Sequence, residues 1–266
     1  ISPKSRAHLI TTEHNTNNRR RDMKIMKLID RKVYQQYEKI IAISDATASN
    51  LASYLSVHHE IMTIANGIDV DYFQNAVPIN KVLLDPSIKD DDFIITMVGG
   101  FREQKDQDTI IKALRILPEN IKLVLVGDGE RRKKCEKLAL KEGVLGRVLF
   151  LGIRKDVANI LKASDVVVMS SHWEGFGLAV VEGMAAQKSV IASDVSGLSN
   201  IVKGAGLLFP PGDTKKLAQL IIDLEKNNEY AKQVASACYI RAKQYDINKM
   251  VDALIDVYSS ILSPKK

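Results

Sequence analysis

Cysteine and long apolar runs are scarce in this 266-residue sequence. It has two cysteines, and no apolar stretch approaches the roughly 20 residues that a membrane-spanning helix needs. Cys135 and Cys238 lie far apart, each in a helix-like pattern. We therefore expect buried or unreactive thiols rather than a disulfide or a metal site, which fits a reducing cytoplasm. The start at Ile1 has neither an initiator methionine nor an apolar signal core, and we interpret it as an internal start rather than an export signal.

The charge is unevenly distributed along the chain. The formal net charge is +6, and the segment Arg19–Lys32 alone carries seven Lys or Arg against two Asp. Because nearly the whole excess is local, it argues against a general nucleic-acid coat, and we predict no nucleic-acid partner.

Short apolar, β-branched runs alternate with amphipathic helical stretches, a pattern typical of right-handed βαβ crossovers and a doubly wound α/β fold. The predicted strands are 39–44, 61–65, 93–98, 122–126, 148–151, 165–169, 189–192 and 207–209. The predicted helices between them are 46–55, 106–117, 130–142, 156–163, 177–186 and 213–226. Ligands of such sheets bind beyond the carboxyl ends of the strands, so motifs directly after strands carry most of the functional information.

The segment Asn66–Lys89, rich in turn residues and prolines, interrupts this alternation, and we place an interdomain linker there. A complete α/β domain, for which we predict the bounds 79–245, begins within this segment. Residues 1–78 contain the linker and only part of a domain, and we expect about 80–120 further residues of that domain to lie outside this chain. The last two predicted helices, 230–243 and 248–262, could pack on either domain. The C-terminal segment 246–266, which contains the second of them, could pack back on the first domain.

The most informative motif is Ser170–Gly197, SSHWEGFGLAVVEGMAAQKSVIASDVSG. A strand ends at Met169, and a glycine-containing loop leads directly into a helix that carries Glu182. Glycines allow close backbone approach to a ligand, and the N–H groups and dipole of a helix start suit a diphosphate. Glu182 could hold two ribose hydroxyls, and Glu174 could hold hydroxyls of a second sugar. Taken singly, either residue is better explained as a capping or surface glutamate.

The two glutamates, with seven residues between them around Gly-Phe-Gly, resemble the E-x7-E region of the large group of retaining GT-B glycosyltransferases (group 1, family 4 type). Further segments resemble landmarks of that group in the expected order. They are TEHNT at 12–16, ISDA at 43–46, IANGID at 64–69, MVGGFREQK at 97–105, LVGDGE at 125–130 and VLFLG at 148–152.

The resemblance implies a GT-B type α/β fold, with a complete Rossmann-like donor domain and a truncated Rossmann-like acceptor domain. It implies catalytic roles for Lys105, Glu174 and His14. It also implies that the donor is bound by Arg102, Lys105, Ile153, Arg154, Glu174, Gly175, Phe176, Gly177, Leu178, Ala179 and Glu182. Within this set, Glu174 would hold the donor sugar, Glu182 the ribose and Lys105 the diphosphate. Ile153 and Arg154 would face the nucleobase through their backbone.

One position departs from the group pattern. The arginine that usually precedes the lysine falls where this chain has Gly100, and the nearest arginine is Arg102. Either Arg102 supplies the charge from a shifted position, or the phosphate contact depends mainly on Lys105. His14 follows an apolar strand at its carboxyl end, where the group has a histidine that approaches the donor sugar.

Two charged motifs each allow a functional and a purely structural interpretation. Asp69-Val70-Asp71 matches the D-x-D pattern of metal-dependent glycosyltransferases, but its position favours a solvated linker, and we predict no metal. The segment Arg19–Lys32 continues into a helix with a predicted apolar stripe of Met26, Ile29, Val33, Tyr37 and Ile40. It is either an ordinary solvated face or a surface that attracts an anionic membrane or a lipid-pyrophosphate acceptor.

The sequence thus predicts metal-independent, cofactor-free transfer from a UDP-, GDP- or ADP-sugar to a glycan or lipid-linked acceptor, with retention supplied by the resemblance. The alternatives are a nucleotide-sugar epimerase of the same fold and a fragment that binds but does not transfer. We expect a cytoplasmic protein, with association to the inner face of the cell membrane left open.

Overall fold

The computed structural model describes residues 8–15, 21, 23–56 and 60–262. The chain divides into two compact units, Ile1–Gly67 with Ile247–Lys266, and Ile68–Asp246. Much of the predicted linker therefore belongs to the second unit, in which Asp69 caps a short helix by accepting a 2.9 Å hydrogen bond from the Tyr72 N–H.

The first unit contains a parallel sheet of order β1-β2-β3. Its elements are β1 (Ile10–Glu13), α1 (Lys24–Tyr34), β2 (Lys39–Ala42), α2 (Asp45–Leu55), β3 (Ile61–Thr63) and the C-terminal helix, which is α11 (Ile247–Leu262). Ile40, Leu51 and Leu55 form its core, with the tyrosines at 34, 37 and 54 packed around them. Ser44 caps α2 by accepting a 3.1 Å bond from the Thr47 N–H.

The apolar stripe predicted for α1 is wrong in part, because the helix ends at Tyr34. Tyr37 lies in the following turn, and Ile40 lies in β2, where it pairs with Thr11 of β1 and Ile61 of β3. Sheet pairing thus overrides the helical spacing that these two residues happen to continue.

The second unit is built on a six-stranded parallel sheet of order β6-β5-β4-β7-β8-β9. The strands are β4 (Phe93–Val98), β5 (Ile121–Val126), β6 (Val148–Gly152), β7 (Val166–Met169), β8 (Ser189–Ser193) and β9 (Leu207–Phe209). The helices are α3 (Val70–Asn75), α4 (Gln107–Leu114), α5 (Arg132–Lys141), α6 (Val157–Ala163), α7 (Leu178–Ala185), α8 (Ser196–Val202), α9 (Thr214–Lys226) and α10 (Asn228–Ala242). This confirms the predicted doubly wound α/β fold, with the strands buried on both faces as continuous apolar runs.

The core of the second unit fixes the helix that carries the principal motif. A Cβ on Gly183 would lie 2.8 Å from the Val167 side chain, so α7 packs on β7 at a distance that only glycine permits. Cys135 and Cys238 are both free and buried, and burial raises the pKa of each thiol to about 12. Among the residues with described positions, no helix is long and apolar enough to cross a bilayer.

Candidate active site

Two of the predicted donor residues, Lys105 and Glu174, meet at one point of the second sheet. From β4 the chain order runs outward through β5 and β6 on one side, and through β7, β8 and β9 on the other. The strand order therefore reverses between β4 and β7, and the crevice beyond their carboxyl ends is the ordinary ligand position in an open α/β sheet. Lys105 follows β4 and Glu174 follows β7, so the topology brings both to this crevice.

Lys105 and Glu174 form an ion pair there through Nζ and Oε1. The Ser171 hydroxyl donates a 2.8 Å hydrogen bond to the same carboxylate oxygen, and the Gln104 Nε2 lies 3.4 Å from the other. Glu174 is only 8% exposed. The crevice thus holds a positive and a negative group in direct contact at a largely desolvated position, where electrostatic interactions are stronger than in water.

The loop between Glu174 and α7 is held by close packing. Gly177, the N-cap of α7, has φ of 92°, and a Cβ there would lie 2.4 Å from the Leu198 Cδ2. The Phe176 ring is buried and contacts the Tyr245 ring edge-on at 5.3 Å between centroids. Gly197 of α8 lies against the loop from the other side, since its Cβ would fall 2.1 Å from the Glu174 carbonyl oxygen.

This packing fixes the direction of the first turn of α7, which includes Leu178 and Ala179. The leading N–H groups of a helix have no partner within the helix and carry the positive end of its dipole. Leu178 is 40% exposed, so this end of α7 is open to a ligand. Gly175 is half-buried in the same loop.

Glu182 lies one turn further along α7. Burial raises the pKa of its carboxyl, and none of the described residues bonds to or pairs with its side chain. The Glu182 side chain is half-buried, and a partly desolvated carboxylate without a protein partner is stabilised when a ligand supplies donors. Glu182 is therefore the residue in this region whose environment most clearly calls for a ligand.

Arg102 follows β4, and Ile153 and Arg154 follow the edge strand β6. The Ile153 side chain, which follows β6, is 83% exposed. The Arg154 guanidinium forms a two-point ion pair with Asp156, at 2.8 Å and 2.6 Å, so its side chain is already engaged. Arg102 is exposed, and its Nε lies 3.8 Å from the position that a Cβ on Gly100 would occupy. Its side chain therefore passes beside the point from which an arginine at position 100 would extend.

His14 lies in the first unit, exposed just after β1. The turn that carries it is fixed by Glu13, whose carboxylate accepts a 3.1 Å bond from the Asn15 N–H and binds Arg21 at 2.7 Å and the Tyr34 hydroxyl at 2.8 Å. The structure thus brings Lys105 and Glu174 into contact, places the other predicted donor residues in the same second unit, and places His14 in the first.

Several residues of the crevice were not predicted. Gln104 and Ser171 contact Glu174, and in the same two loops the His172 Nε2 lies 3.6 Å from an Asp106 carboxylate oxygen. Asp106 has φ of 47° and is buried, and burial raises the pKa of its carboxyl. Glycine is the usual residue in this left-handed conformation, so the sequence pattern did not mark Asp106 as a residue with a special backbone.

The fold and this crevice define a GT-B type glycosyltransferase architecture. The structure of Anabaena Alr3699/HepE in complex with UDP and glucose matches with a TM-score of 0.85 and 22% identity, covering 96% of this chain and 72% of that one. The family model "Glycosyl transferases group 1" matches residues 84–241, and the model "Glycosyltransferase Family 4" matches residues 2–72. The chain belongs to the group 1 glycosyltransferases.

Two curated relatives are similar over most of the chain. The putative glycosyltransferase EpsD of Bacillus subtilis (strain 168) is 30% identical over 203 residues, which cover 74% of this chain and 53% of EpsD. The UDP-Gal:alpha-D-GlcNAc-diphosphoundecaprenol alpha-1,3-galactosyltransferase of Escherichia coli is 31% identical over 218 residues, which cover 77% of this chain and 56% of that protein. The chain therefore spans about half the length of these relatives.

Proposed function

We propose that this protein transfers a sugar from a nucleoside diphosphate sugar to a glycan or lipid-linked acceptor, with retention and without a metal ion. The observation that carries the proposal is the Lys105–Glu174 pair at the switch point, next to Glu182, a carboxylate with no bond from the described residues. The similarity to a galactosyltransferase named for UDP-Gal and a diphosphoundecaprenol acceptor, and to a structure in complex with UDP and glucose, favours UDP-sugars among the possible donors and a lipid diphosphate among the acceptors.

The proposed chemistry begins with the ion pair. When a donor enters, Lys105 turns from Glu174 to the leaving diphosphate, whose negative charge grows as the bond to the anomeric carbon breaks. The N-terminus of α7 contributes fixed positive potential to the same phosphates. Glu174 then accepts bonds from hydroxyls of the donor sugar in place of Lys105, and Glu182 accepts bonds from the ribose. Retention comes from the family resemblance, because the side chains of the crevice do not by themselves specify the stereochemistry.

The test is a calorimetric and thermal-shift panel of UDP-, GDP- and ADP-sugars with EDTA present, on this chain and on Glu182→Ala. We expect saturable binding of one nucleotide class, weakened by the substitution. Arg115→Ala is a matched control because Arg115 pairs with Glu142 at the surface, away from the β4–β7 crevice. Binding only after a divalent cation is restored would refute metal independence.

A second candidate is a fragment that binds the donor and transfers nothing. The coverage of the relatives favours it, because this chain spans only about half of their length. Assay of the full-length gene product beside this chain separates the two candidates, with NMR of the anomeric proton of the product reporting retention. Transfer by this chain alone would eliminate the binding-only candidate.

We further propose that α1 contacts an anionic membrane surface near a lipid-linked acceptor. Its apolar residues Ile25, Leu28, Ile29 and Val33 are 61%, 61%, 42% and 43% exposed, and Lys32 is exposed beside them. An amphipathic helix with basic residues is suited to a lipid interface. Arg19, Arg20 and Asp22 of the predicted basic segment lie outside the described residues.

The described arginines contribute less to such a surface than their charge suggests. Arg21 is paired with Glu13 and stacks over the Tyr54 ring at 5.2 Å, and the Arg31 Nε donates to the Leu55 carbonyl. We therefore expect salt-sensitive but modest co-sedimentation with vesicles containing phosphatidylserine, reduced in Leu28→Glu. Equal binding to neutral vesicles would count against this membrane proposal.

A further inference from the structure

Gln104 joins the two loops that form the crevice. It lies in the 3-10 turn Glu103–Lys105 after β4, and its backbone carbonyl accepts a 2.8 Å hydrogen bond from the His172 N–H in the loop after β7. Its side-chain Nε2 donates a 2.9 Å bond to the Trp173 carbonyl and lies 3.4 Å from the Glu174 Oε2. Three consecutive residues of the second loop are therefore fixed by one residue of the first.

The two oxygens of the Glu174 carboxylate contact different partners. One oxygen contacts Lys105 and the Ser171 hydroxyl, and the other faces the Gln104 amide. Donors on both oxygens fix the rotation of the carboxylate plane as well as its position.

We propose that Gln104 is a positioning residue that keeps Glu174 oriented toward the donor sugar after Lys105 has turned to the diphosphate. The inference rests on the proposed function. In the pair seen here, Lys105 is the strongest partner of Glu174, and donor binding removes it. The Gln104 amide and the Ser171 hydroxyl then keep the carboxylate in place, and the 2.9 Å bond to the Trp173 carbonyl prevents the loop itself from shifting.

The inference predicts which part of the donor is affected. Glu174 faces the sugar in the proposed function, whereas Lys105 and the start of α7 face the diphosphate. Loss of the Gln104 amide should therefore weaken binding of the sugar nucleotide and leave binding of the nucleoside diphosphate nearly unchanged. A merely structural role would weaken both, because it would disturb the whole crevice.

The experiment measures Kd by calorimetry for UDP and for UDP-galactose and UDP-glucose, or for the corresponding GDP or ADP compounds if the donor panel selects another base. Gln104→Met preserves length and removes the amide, and Gln104→Glu places a second carboxylate against Glu174. We expect UDP-sugar binding about 3- to 10-fold weaker in Gln104→Met, weaker again in Gln104→Glu, and UDP binding within about twofold of wild type in Gln104→Met. Glu103→Gln, an exposed neighbour in the same turn, is the matched control and should bind like wild type.

A second measurement tests whether Gln104 acts through Glu174. In a Glu174→Gln background, Gln104→Met should cause no further loss of UDP-sugar affinity. Wild-type affinity in Gln104→Met, or equal weakening of UDP and UDP-sugar, would overturn the inference while leaving the proposed function intact. A folded wild-type chain that binds none of the nucleotides would refute the proposed function, and this inference with it.

Discussion

Replacing Lys105 with methionine removes the positive partner of a carboxylate, Glu174, that is only 8% exposed. Loss of one member of a fully buried ion pair costs about 3–5 kcal/mol, and an exposed pair contributes about 0–1 kcal/mol. The Lys105 side chain is 20% exposed, and the Ser171 and Gln104 contacts remain, so the structure supports an intermediate cost of about 2–3 kcal/mol. Differential scanning calorimetry should show this as a fall in Tm of about 4–12 °C.

The matched variants complete a double-mutant cycle. Glu174→Gln removes the negative charge and leaves a lysine that solvent can reach, so it should cost only about 1 kcal/mol. Lys105→Met with Glu174→Gln should be more stable than the sum of the single variants by at least about 1 kcal/mol, because no buried carboxylate is left without its lysine counter-charge. Additive effects, with a coupling energy below about 0.5 kcal/mol, would refute the claim that the pair is energetically coupled.

Nucleotide binding gives the same cycle a second readout. In Lys105→Met the Glu174 carboxylate is no longer neutralised by a lysine and faces the diphosphate, so nucleoside diphosphate affinity should fall most in that variant. The double variant should bind better than Lys105→Met, because the repelling charge is gone. Glu174→Gln should bind the nucleoside diphosphate at least as tightly as wild type, since Lys105 is no longer neutralised. Turnover should fall sharply in Lys105→Ala, and unchanged turnover would remove Lys105 from the mechanism.

Three further predictions concern single positions of the second unit. Burial raises the pKa of the Glu182 carboxyl in the folded state, so stability falls as the pH rises from the unfolded-state pKa to the higher folded-state pKa. Glu182→Gln should therefore raise Tm at pH 7 and leave it unchanged at pH 4. Each kcal/mol added to the free energy of unfolding raises Tm by about 2–4 °C. An equal rise at both pH values would contradict the assignment. Arg102→Ala should weaken nucleotide binding about 3- to 10-fold, and Gly100→Arg should restore it in that background, because a Cβ at 100 meets only ordinary contacts. Calorimetry showing no recovery would argue that Arg102 does not substitute for the missing arginine. Gly197→Ala should destabilise by about 2–3 kcal/mol, because its Cβ would collide with rigid backbone. Gly146→Ala, which has open space around its Cβ, is the control, and equal denaturation midpoints for the two variants would show that the predicted collision is absent.

Much of the architecture could be predicted because its causes are local. Continuous β-branched runs become strands buried on both faces, and β4 and β9 lie where the sequence pattern placed them. The short helices α3 and α8 were not predicted, since six or seven residues give too few turns for a period to emerge. The end of α1 was mispredicted because Tyr37 and Ile40 continue its spacing by chance.

The candidate site shows the same division. The sequence by itself determined which residues follow strands, where glycines permit close approach, and that a glutamate lies one turn into α7. Only the tertiary structure decided that Lys105 and Glu174, 69 residues apart, are in contact, that Gln104 bridges their loops, and that Arg154 and Arg21 are paired within their own units. The physical reason is that strand and turn propensities act between near neighbours in the chain. The pairing and desolvation of a charge depend instead on which distant segments the sheet brings together.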